Sequence, residues 1–179
     1  MTYPPILPSD DASLHWRQPD ASKFRFDLTA AGDRTLGHVE ITSWKMNLVM
    51  AETAAGVWRF EHVGLWSPKV RALVDDVEVA TLEVKNAWLG NRASLVAPDG
   101  HVIGQWVTAM FAMGSAEWQD AEGQTLIAFR SGTDEGGMAT WWRTQCRVDF
   151  TAAGFAHPDR DLMLTIGWYF TVIASNPAI

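Results

Sequence analysis

The chain is poor in the residues that most readily betray chemistry. It has 179 residues and one cysteine, Cys146, so no disulfide can close within it and no cysteine-based metal cluster is available. Cys146 lies in a strand-like run and reads as a buried, inert thiol. None of the five histidines (His15, His38, His62, His101, His157) forms a short metal-spaced pair. His101 follows a turn glycine and His157 precedes a proline, so both are expected to be exposed. Ser67, Ser115 and Ser131 lack the Gly-x-Ser-x-Gly setting of a hydrolase nucleophile. The run Gly132–Gly137 is glycine-rich but has Asp134 and Glu135 where a phosphate loop needs lysine, and it reads as a hairpin tip. These absences assign no catalytic residue, no metal ligand and no cofactor.

Positive charge is also scarce. Fourteen Lys and Arg against 21 Asp and Glu leave a formal charge of −7, which argues against general nucleic-acid binding. The opening Met-Thr-Tyr-Pro-Pro-Ile has neither the basic nor the apolar region of a secretory signal, and there is no glycosylation sequon. A cytoplasmic address, peripheral to a membrane at most, is the expectation.

What the chain does have is alternation. Residues 1–22 hold four of the eight prolines and read as an irregular lead-in. From Lys23 the pattern predicts strands at 23–29, 36–43, 46–52, 57–63, 70–75, 78–85, 93–97, 102–109, 116–120, 125–130 and 138–150. Turn chemistry separates them: Ala31-Gly32-Asp33, Ala55-Gly56, Asp75-Asp76, Pro98-Asp99-Gly100 and Ala121-Glu122-Gly123. The pairs Leu36-Gly37, Val57-Trp58, Val79-Ala80, Ile103-Gly104 and Leu126-Ile127 recur at roughly hairpin intervals, which implies a meander of consecutive hairpins. So many strands in one domain call for a closed barrel or a sandwich.

The last apolar stretch, Leu162–Ala174, carries no charge. As a helix it has His157 or Asp159 to cap it, Pro158 for its first position, Asp161 in its first turn and Asn176-Pro177 to end it. Apolar residues would surround such a helix, so it must be enclosed. As a strand, Leu164, Ile166, Trp168, Phe170 and Val172 would share one face. As a membrane span it is short, since 159–175 reaches roughly 25 Å of helix against a hydrocarbon core of about 30 Å.

A barrel of about twelve strands is too wide for its own side chains to fill, and an enclosed helix would fill it. The helical reading therefore gives a mainly β fold. It is a closed antiparallel barrel threaded by a helix over about 159–175, with Leu162, Leu164, Ile166, Gly167, Trp168, Phe170 and Val172 in the core.

The hairpin Ala97-Pro98-Asp99-Gly100-His101-Val102-Ile103-Gly104, the strand Glu78–Lys85 and the ending Asp161–Ser175 carry a family likeness. In these features and their order the chain resembles the tubby C-terminal-like superfamily, which includes the LURP-one-related proteins and the phospholipid scramblases. The resemblance covers about residues 23–175. It implies a twelve-stranded barrel around a hydrophobic helix. It also implies a binding or scaffold function directed at phospholipid head groups or a protein partner; no enzymatic activity is expected, because no nucleophile–base pair or metal set can be assembled, and no membrane span, because the apolar stretch is short.

Arg143 and Arg147 share a strand face and are the candidate anion contacts; Lys69, Arg71, Lys85, Arg92 and Arg130 could join them if strands converge. The rival reading is an open barrel carrying an apolar small molecule, its last segment a wall strand. The ten tryptophans suit core packing, except that the neighbours Trp141 and Trp142 would face opposite ways on a strand.

Overall fold

The computed structural model describes residues 3–20, 23–43, 48–63, 69–85, 92–108, 115–131 and 145–174. Twelve strands are found: β1 (His15–Arg17), β2 (Arg25–Ala30), β3 (Arg34–Ser43), β4 (Leu48–Thr53), β5 (Gly56–Val63), β6 (Lys69–Val74), β7 (Val77–Lys85), β8 (Arg92–Val96), β9 (Val102–Thr108), β10 (Ser115–Gln119), β11 (Thr125–Ser131) and β12 (Gln145–Phe150). A short helix α1 (Ala152–Ala156) and the long helix α2 (Arg160–Ala174) follow. Each strand pairs antiparallel with its neighbour in sequence, and β1 closes the ring on β12. The product is a closed barrel with no free sheet edge.

Alternation explains which residues enter the core. Along β12, Cys146, Val148 and Phe150 are buried while Gln145, Arg147 and Asp149 face outward. β4 behaves likewise, with Val49, Ala51 and Thr53 inside. The tight turns are made as their chemistry predicts: Gly32, Gly100 and Gly123 take positive φ, and so do Asp33, Asp75 and Asp76.

Eleven of the twelve strands lie where alternation places them. The twelfth, β1, lies inside the segment read as an irregular lead-in. Its three residues, His-Trp-Arg, are too few to show a period, yet Trp16 is fully buried and pairs with Leu28 and Cys146. The start of the last predicted strand, 138–144, lies outside the described residues.

The C-terminal stretch is a helix, which overturns the wall-strand reading. Every residue from Asp161 to Phe170 is buried, so this part of α2 has no solvent face. It meets strands on several sides of the ring. Trp168 stacks on Trp16 of β1 (centroids 5.6 Å apart, 4° between planes) and meets Phe26 of β2 edge-on. Tyr169 stacks on Phe60 of β5, and Phe170 meets Trp106 of β9 edge-on. Trp118 of β10 donates its indole N–H to the Met163 carbonyl at 2.7 Å. Thr165 and Thr171 turn their hydroxyls back onto the helix, donating to the carbonyls of Asp161 and Gly167. Leu162, Leu164, Ile166, Trp168, Phe170 and Val172 are all core residues.

Asp159, one of the two expected caps, stands immediately before α2, its carbonyl accepting the Met163 N–H, but the helix starts at Arg160 and Pro158 lies in the preceding turn rather than at the first helical position. Thr151 caps α1, accepting the Gly154 N–H. At Gly154 an added Cβ would lie 1.9 Å from the Leu126 carbonyl oxygen, so α1 rests on β11 through bare backbone. Asn176 and Pro177 lie outside the described residues.

Burial pushes the Tyr169 hydroxyl up to about 12. Its folded pKa exceeds the ordinary value near 10, so the stabilisation is complete below pH 10 and is lost as pH rises towards 12. Unfolding free energy should fall by up to roughly 3 kcal/mol across that window. In a Tyr169→Phe variant the fall should largely vanish. Denaturant melts at stepped alkaline pH check this, and an equal fall in the variant would refute it.

Candidate functional site

With α2 along its axis, the barrel keeps much of its polar chemistry outside. Arg147 of β12 lies directly opposite Arg130 of β11, both facing outward. Like charges placed opposite one another on a sheet repel. Asp149 relieves this by sitting 2.8 Å from Arg147 Nε and 3.0 Å from Arg130 Nε. The same row continues to Ser115 on β10 and His15 on β1. Beside it lies a groove of about 350 Å³, lined by Val107, Ser115, Glu117, Ala128 and Arg130.

Of the two candidate anion contacts, Arg147 is thus on the outer face, while Arg143 lies outside the described residues. Lys69 and Arg71 are bound to Glu83 and Glu61 and belong to a different face. Arg92 is exposed at the start of β8.

A second polar cluster lies across β2–β4. Tyr3 of the N-terminal segment shares a hydrogen bond with His38 Nδ1 at 2.9 Å, and its ring leans on the imidazole. Glu52 is 3.9 Å from the same nitrogen. Burial holds His38 below its ordinary range, and nearby Arg25 pushes the same way. The segment is also tied down by Ile6, which is buried, and by Asp10, which accepts from Arg34 and from the Leu7 N–H.

The third place is a cleft of about 590 Å³ where the chain enters α2, walled by Pro5, Ile6, Ala55, Phe155, His157 and Arg160 among others. Arg160 lies over the Phe155 ring at 4.3 Å, donates to the Phe155 carbonyl and reaches Asp161 at 3.1 Å. Asp161 is buried and accepts the Thr53 hydroxyl at 2.7 Å. His157 is only partly exposed, against expectation, because its Nδ1 accepts the Asp159 N–H within the turn. Asp161→Ala removes the acceptor shared by the Thr53 hydroxyl and Arg160 Nε. It should cost about 1–3 kcal/mol in a urea melt, and an unchanged midpoint would show the pair to be idle.

Among the described residues no group of three His, Cys, Asp or Glu is placed to hold a metal ion. His101 remains at the surface, 2.6 Å from Asp99, whose carboxyl is lowered by the His101 backbone and ring hydrogen bonds. His62, on β5, is lowered by burial. Ser115 lies at the edge of the outer groove, while Ser67 lies outside the described residues. No described helix is long and apolar enough to cross a membrane.

These features define a closed antiparallel barrel built around its own helix, with a paired-arginine groove on its outer wall. No family model, curated protein or solved structure matches the chain.

Proposed function

We propose that this protein is a non-enzymatic binding or scaffold module that meets phospholipid head groups or a protein partner through its outer surface. One observation carries the reading: α2 occupies the barrel axis and is buried from Asp161 to Phe170, taking the space a carried ligand would need. Kinship with the tubby-like superfamily is part of the proposal, supported by twelve consecutive antiparallel strands followed by an enclosed helix. A cytoplasmic, membrane-peripheral address goes with it.

The surface gives partial support for a charged ligand. Arg130 and Arg147 present two guanidinium groups side by side around the single carboxylate of Asp149, with Glu117 across the adjoining groove. Guanidinium groups so placed attract anions at short range, and salt screens them.

The test is co-sedimentation with neutral vesicles and with vesicles containing anionic lipid, alongside crosslinking to captured protein partners. Salt-sensitive recovery with anionic vesicles, or a saturable complex with a purified partner, is the expected result. Stoichiometric uptake of an apolar dye into the barrel, with neither of those, would turn the reading to a carrier.

A further inference from the structure

We propose that Tyr3-Pro4-Pro5-Ile6 is an acid-released strap, lying across the entry to α2 and latched to the barrel wall by Tyr3 on His38. The device goes beyond the binding reading above and does not depend on it.

The strap is fastened at few points. Ile6 is buried in the core cluster, whereas Pro5 before it and Leu7 after it are exposed. Pro4 and Pro5 have no N–H to donate, and residues 3–6 make no backbone–backbone hydrogen bond among the described residues. The Ile6 carbonyl is reached by Arg160 Nη2 at a long 3.4 Å. From Leu7 onward the chain is firmly held. Leu7 and Asp10 exchange two hydrogen bonds, Asp10 pairs with Arg34, and the Leu14 carbonyl accepts the Val148 N–H. Residues 3–6 can therefore lift about Leu7 while the barrel stays intact. Pro5 and Ile6 then leave one wall of the cleft at α2 and uncover Ala54, Ala55 and Phe155, which line the same cleft.

The latch is a histidine on the outer face. His38 pairs with Asp27 of β2 and Glu52 of β4, and the next residue, Val39, is in the core, so the imidazole points away from the interior. Its side chain is nonetheless only 13% exposed. Tyr3 supplies cover from outside, its phenol 2.9 Å from Nδ1 and its ring 5.7 Å from the imidazole. The charged groups facing His38 are Arg25 and Asp27 of β2, Glu40 of β3 and Glu52 of β4. Arg25 also acts on the Tyr3 phenol, by a side-chain hydrogen bond and by its charge. With Arg25 donating to the phenol oxygen, the phenol O–H is left for the Nδ1 lone pair. Protonation fills that lone pair and sets an imidazolium and a guanidinium on one oxygen.

Burial, and then Arg25, hold His38 below its ordinary 6.5, with the three carboxylates opposing. Lifting the strap returns water to the ring and leaves the carboxylates in place, so the open form binds the proton more tightly. The closed form is thus fully favoured above pH 6.5 and loses ground as pH falls below it.

Nuclear magnetic resonance of the full chain, labelled at its isoleucine methyl groups, reads the strap through Ile6. The window runs from about pH 7.5 to about pH 5, where ordinary carboxylates stay ionised. Across it the Ile6 methyl should move towards the position of an exposed isoleucine, in step with titration of the His38 ring. The Ile127 and Ile166 methyls should stay where they are. His38→Gln should fix the Ile6 methyl at one position throughout. Tyr3→Phe, which keeps the histidine, should raise the released fraction at neutral pH about three- to tenfold, the scale of one lost hydrogen bond. The proposal is overturned if the Ile6 methyl does not respond to acid, if Ile127 and Ile166 move with it, or if the response survives in His38→Gln. An unchanged released fraction in Tyr3→Phe would overturn it equally, since the latch would then lie elsewhere.

Discussion

A chain carrying Gly167→Leu should fail to reach the native barrel, and Gly167→Ala should fold with a melting temperature clearly below the parent's. A Cβ at this position would lie 2.6 Å from Trp118 Nε1 and 2.9 Å from both Phe129 Cζ and Trp106 Cζ3. Those three rings are not free to retreat. Trp118 is held by its hydrogen bond to the Met163 carbonyl, and Trp106 packs against Trp118 and Phe129 with centroids 5.2 Å away in each case. The single methyl of alanine is therefore expected to cost about 1–3 kcal/mol, the usual range for overpacking. At roughly 2–4 °C per kcal/mol for a domain of this size, that is a readily measured shift. Leucine adds three more carbons to a place that has no room for the first. Thermal melts followed by near-ultraviolet circular dichroism report the loss of tryptophan packing directly. An unchanged melt for both variants would mean that α2 does not press against β9–β11.

The same position shows what the sequence can and cannot disclose. Gly167 could be singled out because it is the only glycine in an apolar run, and enclosure follows once that run is helical. The run itself was ambiguous: Leu164, Ile166, Trp168, Phe170 and Val172 satisfy a strand period as well as a fully buried helix does. What decides between them is the width of a twelve-stranded ring, a property of the whole chain rather than of the segment. β1 shows the opposite limit. It forms because Trp16 finds Trp168 and Leu28, both distant in sequence, and nothing local in His15-Trp16-Arg17 announces it.

The outer groove was half legible. Arg147 and Asp149 are two apart on a strand, so their shared face could be read directly. That Arg130 stands opposite Arg147 depends on the β11–β12 register, which the thirteen-residue connection 132–144 hides from any spacing argument. Ser115 joins for the same reason, through the register of β10 on β11. Tyr3 reaching His38 is a tertiary contact 35 residues apart, with no local trace.

Trp168→Ala tests the helix as a filler rather than as a wedge. The substitution removes a ring that stacks on Trp16 and meets Phe26 edge-on at 5.4 Å. Its indole N–H has no hydrogen-bond partner among the described residues, so truncation forfeits packing and breaks no polar contact found there. The expected cost is about 3–5 kcal/mol, or roughly 6–20 °C of melting temperature. The space left is walled by Trp16 and Phe26 and by the barrel's other apolar side chains, so it should stay dry and accept a flat apolar guest. Indole in large excess over its dissociation constant would then restore about 2–3 kcal/mol to the variant, because it binds the folded state alone. The parent should gain nothing, since its own ring already fills the place. A barrel that carries apolar ligands would behave otherwise: indole would raise the parent's melting temperature too, into space that α2 had left open. Equal stabilisation of both chains would thus return the interior to consideration, and stabilisation of the variant alone would mean that α2 leaves no room for such a guest in the parent barrel.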